Sequence, residues 1–145
     1  MRGTALGFLL LCGAGLCFGQ EQQALCPRHI EVPTFPPIAR AAHVTGKITL
    51  TITIDADGNV RSVEATADNP VMQAHPLLQK FAVENMQHWT FAKPPSVPYT
   101  ETIVYDYEFD PSLPADGGAN PITKVTFDLP NRVTILTNLS IIDHT

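Results

Sequence analysis

The clearest pattern in the chain is an unbroken alternation over residues 47–54. Ile48, Leu50, Ile52 and Ile54 fall to one side, and Lys47, Thr49, Thr51 and Thr53 to the other. A period of two with β-branched residues on both sides predicts a half-buried antiparallel strand, threonine holding the wet face. Asp55-Ala56-Asp57-Gly58-Asn59 follows as a hairpin connection in which Gly58 and Asn59 can take positive φ. Residues 60–67 give a weaker second strand with Val63, Ala65 and Ala67 on its apolar side, and these small side chains leave room for a large neighbour.

The neighbour comes next in the chain. Asp68-Asn69-Pro70 breaks the strand and Pro76 suits a first helical position. Leu77, Leu78, Phe81, Ala82, Asn85 and Trp89 then recur at helical spacing as one stripe, in an amphipathic segment that ends Trp89-Thr90-Phe91. Pro94, Pro95 and Pro98 forbid helix and lead to a third strand over residues 100–109. It sends Ile103, Tyr105, Tyr107 and Phe109 to one face, and Val104, Asp106 and Glu108 to the other. The expected fold class is therefore α+β: a small antiparallel sheet with one helix packed on one face, in the order strand, strand, helix, strand. Residues 110–122, with three prolines and two glycines, predict a linker. Residues 123–129 and 132–142 add one or two C-terminal strands around a Pro130-Asn131 turn.

Upstream, Pro27, Pro33, Pro36 and Pro37 hold the chain extended. A short helical turn over residues 38–42 starts after Pro37, and Gly46 ends it. The first residues read as a secretory signal: Arg2 is a positive start, residues 5–18 are apolar, and Gly19 is a small residue at the cut. The apolar run is shorter than the roughly 20 residues that span a bilayer. The expected organisation is a signal peptide over 1–19, a polar arm over 20–32, a domain over 33–109, the linker over 110–122 and a β extension over 123–145.

Cleavage after Gly19 would leave Cys26 as the single cysteine, excluding an intramolecular disulfide. Cys26 reads first as an inert arm residue and second as a site of intermolecular pairing. A formal net charge of -5 argues against nucleic acid, which is bound by basic patches, and against anionic membrane surfaces.

The candidate chemistry is thin. Asp55-x-Asp57-Gly58 opens like a calcium loop, but position 12 of that loop is Thr66 where a bidentate Glu is required, so a hairpin turn is the better reading. His29, His43, His75, His88 and His144 include no metal-binding helical pair, and a zinc site would have to be assembled from the distant His29, His43 and Cys26. An enzyme using His75 or His88 has no nucleophile, base and orienter to assemble, and Phe81 and Trp89 read as core rather than ligand-stacking aromatics. The expectation is a non-enzymatic chain with no cofactor, no metal and no small-molecule substrate.

Five motifs in order point to a family. Pro33-Thr34-Phe35-Pro36-Pro37-Ile38-Ala39-Arg40 leads to Gly46-Lys47-Ile48 and then Ile54-Asp55-Ala56-Asp57-Gly58-Asn59-Val60; His75-Pro76-Leu77-Leu78 and Trp89-Thr90-Phe91 follow. Together they resemble the C-terminal domain of the TonB energy-transducer family over roughly half the chain. The resemblance implies a periplasmic binding module, membrane-associated if the signal is retained, whose partner is a TonB-dependent outer-membrane transporter or another envelope protein. In that family the last core strand is the edge to which a transporter's short motif adds as a further strand. Carried onto this chain, the partner-binding residues are Thr102, Val104, Tyr105, Asp106, Tyr107 and Glu108, with Phe35 and Pro36 from the proline-rich segment alongside. The mechanism is β-augmentation, in which main-chain hydrogen bonds give affinity and alternate side chains give specificity.

Full-length transducers keep a membrane helix and a long proline-rich span, and a cleaved chain of this length would bind without pulling. Val32 stands where well-known members carry a polar contact residue, and the strands after Ile122 have no counterpart in the minimal domain. Those strands can pair with residues 100–109 and occupy the edge. The alternative function is a structural or assembly protein of the envelope, a homodimer joined through its edge strand. Asn138-Leu139-Ser140 has the spacing of a glycosylation sequon, which carries little meaning in a bacterial chain.

Overall fold

A computed structural model describes residues 25–74, 76–115, 121–129 and 131–139. The elements run β1 (Pro27–His29), α1 (Pro37–Ala41), β2 (Gly46–Ile54), β3 (Val60–Ala67), α2 (Pro70–Ala74), α3 (Leu77–Met86), β4 (Thr90–Phe91), β5 (Tyr99–Phe109), β6 (Thr123–Asp128) and β7 (Arg132–Thr137). The signal segment over 1–19, His75, His144 and residues 140–142 of the expected last strand lie outside the described residues.

The fold is α+β, as the alternation and the helical stripe predict. Its main sheet has the order β3-β2-β5-β7-β6. Every neighbouring pair is antiparallel except β5 with β7, so the sheet is mixed. The chain leaves β5 and first lays down β6 one strand-width away; the hairpin then folds β7 into the gap, parallel to β5.

One face of the sheet carries the core. Ile48, Leu50, Ile52 and Ile54 of β2 and Ile103, Tyr105 and Tyr107 of β5 are fully buried there. Over β2 and β3 lies α3. Its buried residues are Leu78, Ala82 and Met86, while Leu77, Phe81 and Asn85 are only half-buried, so the stripe is turned slightly from the one the spacing predicts. The helix also ends sooner than expected. Gln87 and His88 close its last turn, Trp89 drops into the core, and Thr90 and Phe91 form β4 against β1 because two good β formers here find a partner strand.

The remaining cover over β5 comes from the arm. Phe35 is buried, edge-on to Tyr107 with ring centroids 5.6 Å apart and tilted against Phe109 at 5.5 Å. After α1 the chain turns at His43, whose φ of 53 is the left-handed conformation usually given to glycine at a helix end. Gly46 is the first residue of β2 rather than the helix stop. In the β2–β3 turn only Gly58 takes a positive φ, at 90; Asn59 does not. Asp55 Oδ1 accepts the backbone N–H groups of Asp57 at 2.9 Å and Asn59 at 3.0 Å. The acidic loop is thus consumed by its own turn.

Candidate functional site

The site expected from the sequence is the edge of β5, and the backbone decides how much of it is open. β5 pairs with β2 from Gly46↔Tyr107 to Ile54↔Tyr99, and Glu108 and Phe109 run on past the start of β2. On its other side β7 pairs with it from Val104↔Arg132 to Phe109↔Thr137. The Val104 N–H donates to the Asn131 carbonyl at 2.8 Å, which fixes the parity: Val104, Asp106 and Glu108 turn their backbone groups toward β7, while Tyr105 and Tyr107 turn theirs toward β2. Thr100 and Thr102 share the parity of Val104. They lie beyond the start of β7, with no strand beside them among the described residues.

The expected partner-binding residues therefore separate. Thr102 and Glu108 are exposed, Val104 is half-buried, and Tyr105, Tyr107 and Asp106 are buried. Phe35 and Pro36 are buried as well, so Phe35 serves the core through its contacts with Tyr107 and Phe109. Of the eight, Thr102 alone combines exposure with a backbone turned toward an unpaired edge.

The hairpin on the rest of the edge is held by apolar and polar contacts. Val133 and Ile135 are fully buried, and Phe127 packs on Trp89 with centroids 6.1 Å apart. Just past β7, buried Asn138 collects four hydrogen bonds: Arg40 Nε donates to its backbone oxygen and Arg40 Nη2 to its Oδ1, both at 3.0 Å; Ile122 N–H donates to the same Oδ1 at 3.0 Å; and Asn138 Nδ2 donates to the Pro114 carbonyl at 2.8 Å. The residue that begins the sequon spacing is a buried fastening point.

The electrostatics follow burial. Asp106 lies on the sheet face away from α3, 5% exposed. Desolvation pushes its carboxyl up, Glu108 adds to that, and Lys47, with Nζ 4.0 Å away, and Arg132 pull it back. Burial likewise raises the Tyr105 and Tyr107 hydroxyls well above the usual phenol range, and desolvation raises Glu101, which is hydrogen-bonded to Tyr99. His88 Nδ1 meets Glu31 Oε2 at 2.7 Å on the surface, and among the described residues no group of three or more His, Cys, Asp or Glu could hold a metal ion.

Asn85 is the residue that pattern reading passes over. Placed on the helical stripe as if apolar, it accepts from the Tyr105 hydroxyl at 2.6 Å and from Trp89 Nε1 at 3.1 Å, and its Nδ2 donates to the Glu31 carbonyl at 3.0 Å. A lone amide on an apolar stripe is the signal that could have found it. Arg40 and Asn138 have no comparable signal, since nothing local relates them.

The family described as Gram-negative bacterial TonB protein C-terminal matches residues 31–111. No curated protein matches the chain. The match begins in the arm that covers β5 and ends just after β5, and the β6–β7 hairpin lies outside it. No described helix is long and apolar enough to cross a membrane.

Proposed function

The chain belongs to the TonB C-terminal family, and from that membership we propose that it is a non-enzymatic protein-binding module of the periplasm. It recognises an extended segment of a partner, of the kind carried by TonB-dependent outer-membrane transporters, by strand addition to β5. The observation that carries this reading is the edge of β5 itself. It already accepts one parallel strand over residues 104–109, and the backbone groups of Thr100 and Thr102 continue the same line with no strand on them among the described residues. An incoming segment pairs there first. Extending along Val104, Asp106 and Glu108 requires β7 to leave, which exposes Val133 and Ile135 at about 1.5–3 kcal/mol per side chain. The hairpin thereby sets a threshold that a short or weakly matched segment does not cross.

Capture of peptides from the periplasmic N-termini of such transporters by the full chain, compared with Thr102→Pro, tests the reading. Proline there removes an N–H that points to the open edge and takes no bond from the β2 ladder. Retention by the native chain and loss in Thr102→Pro is the expected result. Equal capture by both, or none by either, counts against it. Tighter binding by Asn138→Ala would mark the longer partner segments that displace the hairpin.

A further inference from the structure

The two outer edges of the sheet are built differently. β3 meets β2 with a register shift between Thr53 and Ile54, although both edges carry exposed charges, Arg61 and Glu64 on β3 and Lys124 and Asp128 on β6. At the opposite edge, β6 pairs with β7 from Thr123↔Thr137 to Asp128↔Arg132 with no shift, contains no proline, and has no strand on its outer side among the described residues. Bulges and prolines blunt sheet edges because a regular open edge templates another strand. β6 lacks both.

The parity of β7 shows what that edge offers. Asn131 bonds to β5, so Arg132, Thr134 and Leu136 turn their backbone groups toward β6, where Asp128, Thr126 and Lys124 meet them. Thr123, Val125 and Phe127 therefore turn their N–H and C=O groups outward. Val125 and Phe127 also lie on the core side of the sheet, half-buried, with apolar surface left to cover.

We propose that the occupant of this edge is a second copy of the chain, joined β6 to β6 in antiparallel register about a two-fold axis through Thr126. In that register Val125 and Phe127 of the second copy lie directly opposite each other and exchange main-chain hydrogen bonds through their outward groups. Lys124 falls opposite Asp128 of the second copy in a non-hydrogen-bonded pair, where side chains approach most closely, and the symmetry repeats the ion pair. Both residues are exposed, and neither has an ion-pair partner among the described residues, although Lys124 acts at longer range on Asp110. The neighbouring register, with Val125 opposite itself, sets Lys124 against Thr126 and forfeits both ion pairs. Charge complementarity thus selects one register, and the result is a continuous sheet across two copies.

Sedimentation equilibrium of the full chain tests this, with a dimer expected. Lys124→Asp places like charges opposite each other and weakens the dimer about tenfold or more, and Asp128→Lys does the same. The double exchange Lys124→Asp/Asp128→Lys restores it. As a second measurement, Thr126→Cys in a background with Cys12, Cys17 and Cys26 all replaced by serine forms an intermolecular disulfide on oxidation, because residues on the axis of a non-hydrogen-bonded pair stand about 4.5 Å apart at Cα. Ser62→Cys on β3 in the same background does not. A monomer at every concentration, a dimer indifferent to both charge reversals, or no cross-link through position 126 overturns the proposal.

Discussion

Arg40 and Asn138, 98 positions apart, are joined at two points: Nε donates to the Asn138 backbone oxygen and Nη2 to its Oδ1, each at 3.0 Å. One end of this pair sits in α1, inside the region matched by the family, and the other just after β7, outside it. The contact is buried at both ends, so it ties the added hairpin to the family domain where water cannot replace a lost partner.

Arg40→Ala is therefore expected to lower unfolding stability by about 2–3 kcal/mol, since it takes the donor from the buried Asn138 backbone oxygen and leaves Oδ1 with the Ile122 N–H alone among the described residues. Urea denaturation measures this directly. Arg40→Lys should recover only part of the loss, because an ammonium cannot reproduce the two-point fork.

Tyr105 and Tyr107 neighbour each other on the core face of β5 and should respond differently to loss of the hydroxyl. The Tyr105 hydroxyl donates to Asn85 Oδ1 at 2.6 Å, whereas the Tyr107 hydroxyl is buried with no hydrogen-bond partner among the described residues. Tyr105→Phe should cost about 1 kcal/mol, and Tyr107→Phe should be neutral or stabilising. Thermal unfolding of the two variants gives the comparison.

Gly58 is required by both conformation and space. Its φ is 90, and a Cβ there would run into the Phe91 carbonyl of β4. Gly58→Ala should destabilise by about 2 kcal/mol or more, and hydrogen exchange should localise the loss to the β2–β3 turn and β4.

Asp106 makes a pH prediction whose sign follows from its surroundings. Its folded-state pKa is raised above the ordinary 3.8, so the folded chain holds this proton more tightly than the unfolded chain does. The charged carboxylate then costs stability above the folded pKa, and that cost is relieved as pH falls through the raised value toward 3.8. Asp106→Asn should be more stable than the native chain at pH 7, with the difference shrinking over that acidic window. Denaturant midpoints of both proteins across pH measure it, and a difference that grows on acidification would contradict the assignment.

Local pattern determined a great deal here. The alternation of Ile48, Leu50, Ile52 and Ile54 with lysine and threonine specified β2, because one wet face and one dry face leave a strand a single way to lie. The same logic located β3, the core face of β5 and the existence of α3, and the ordered motifs pointed to the family. The proline-rich arm was legible as extended chain, but its burial was not. Phe35 and Pro36 look like surface contacts in the sequence, yet both are buried, Phe35 against Tyr107 and Phe109.

What only the tertiary structure decided was which edge is open. Residues 123–129 and 132–142 read as strands, yet nothing in their composition says whether they pair beside β5, in which order, or in which direction. Strand pairing is made by backbone groups that every residue carries, so it leaves little trace in sequence; register and neighbour are chosen by long-range burial. Here Val133 and Ile135 entering the core, with Arg40 reaching Asn138, placed β7 on the C-terminal half of β5, left Thr100 and Thr102 with no strand beside them among the described residues, and moved the regular edge of the described sheet out to β6.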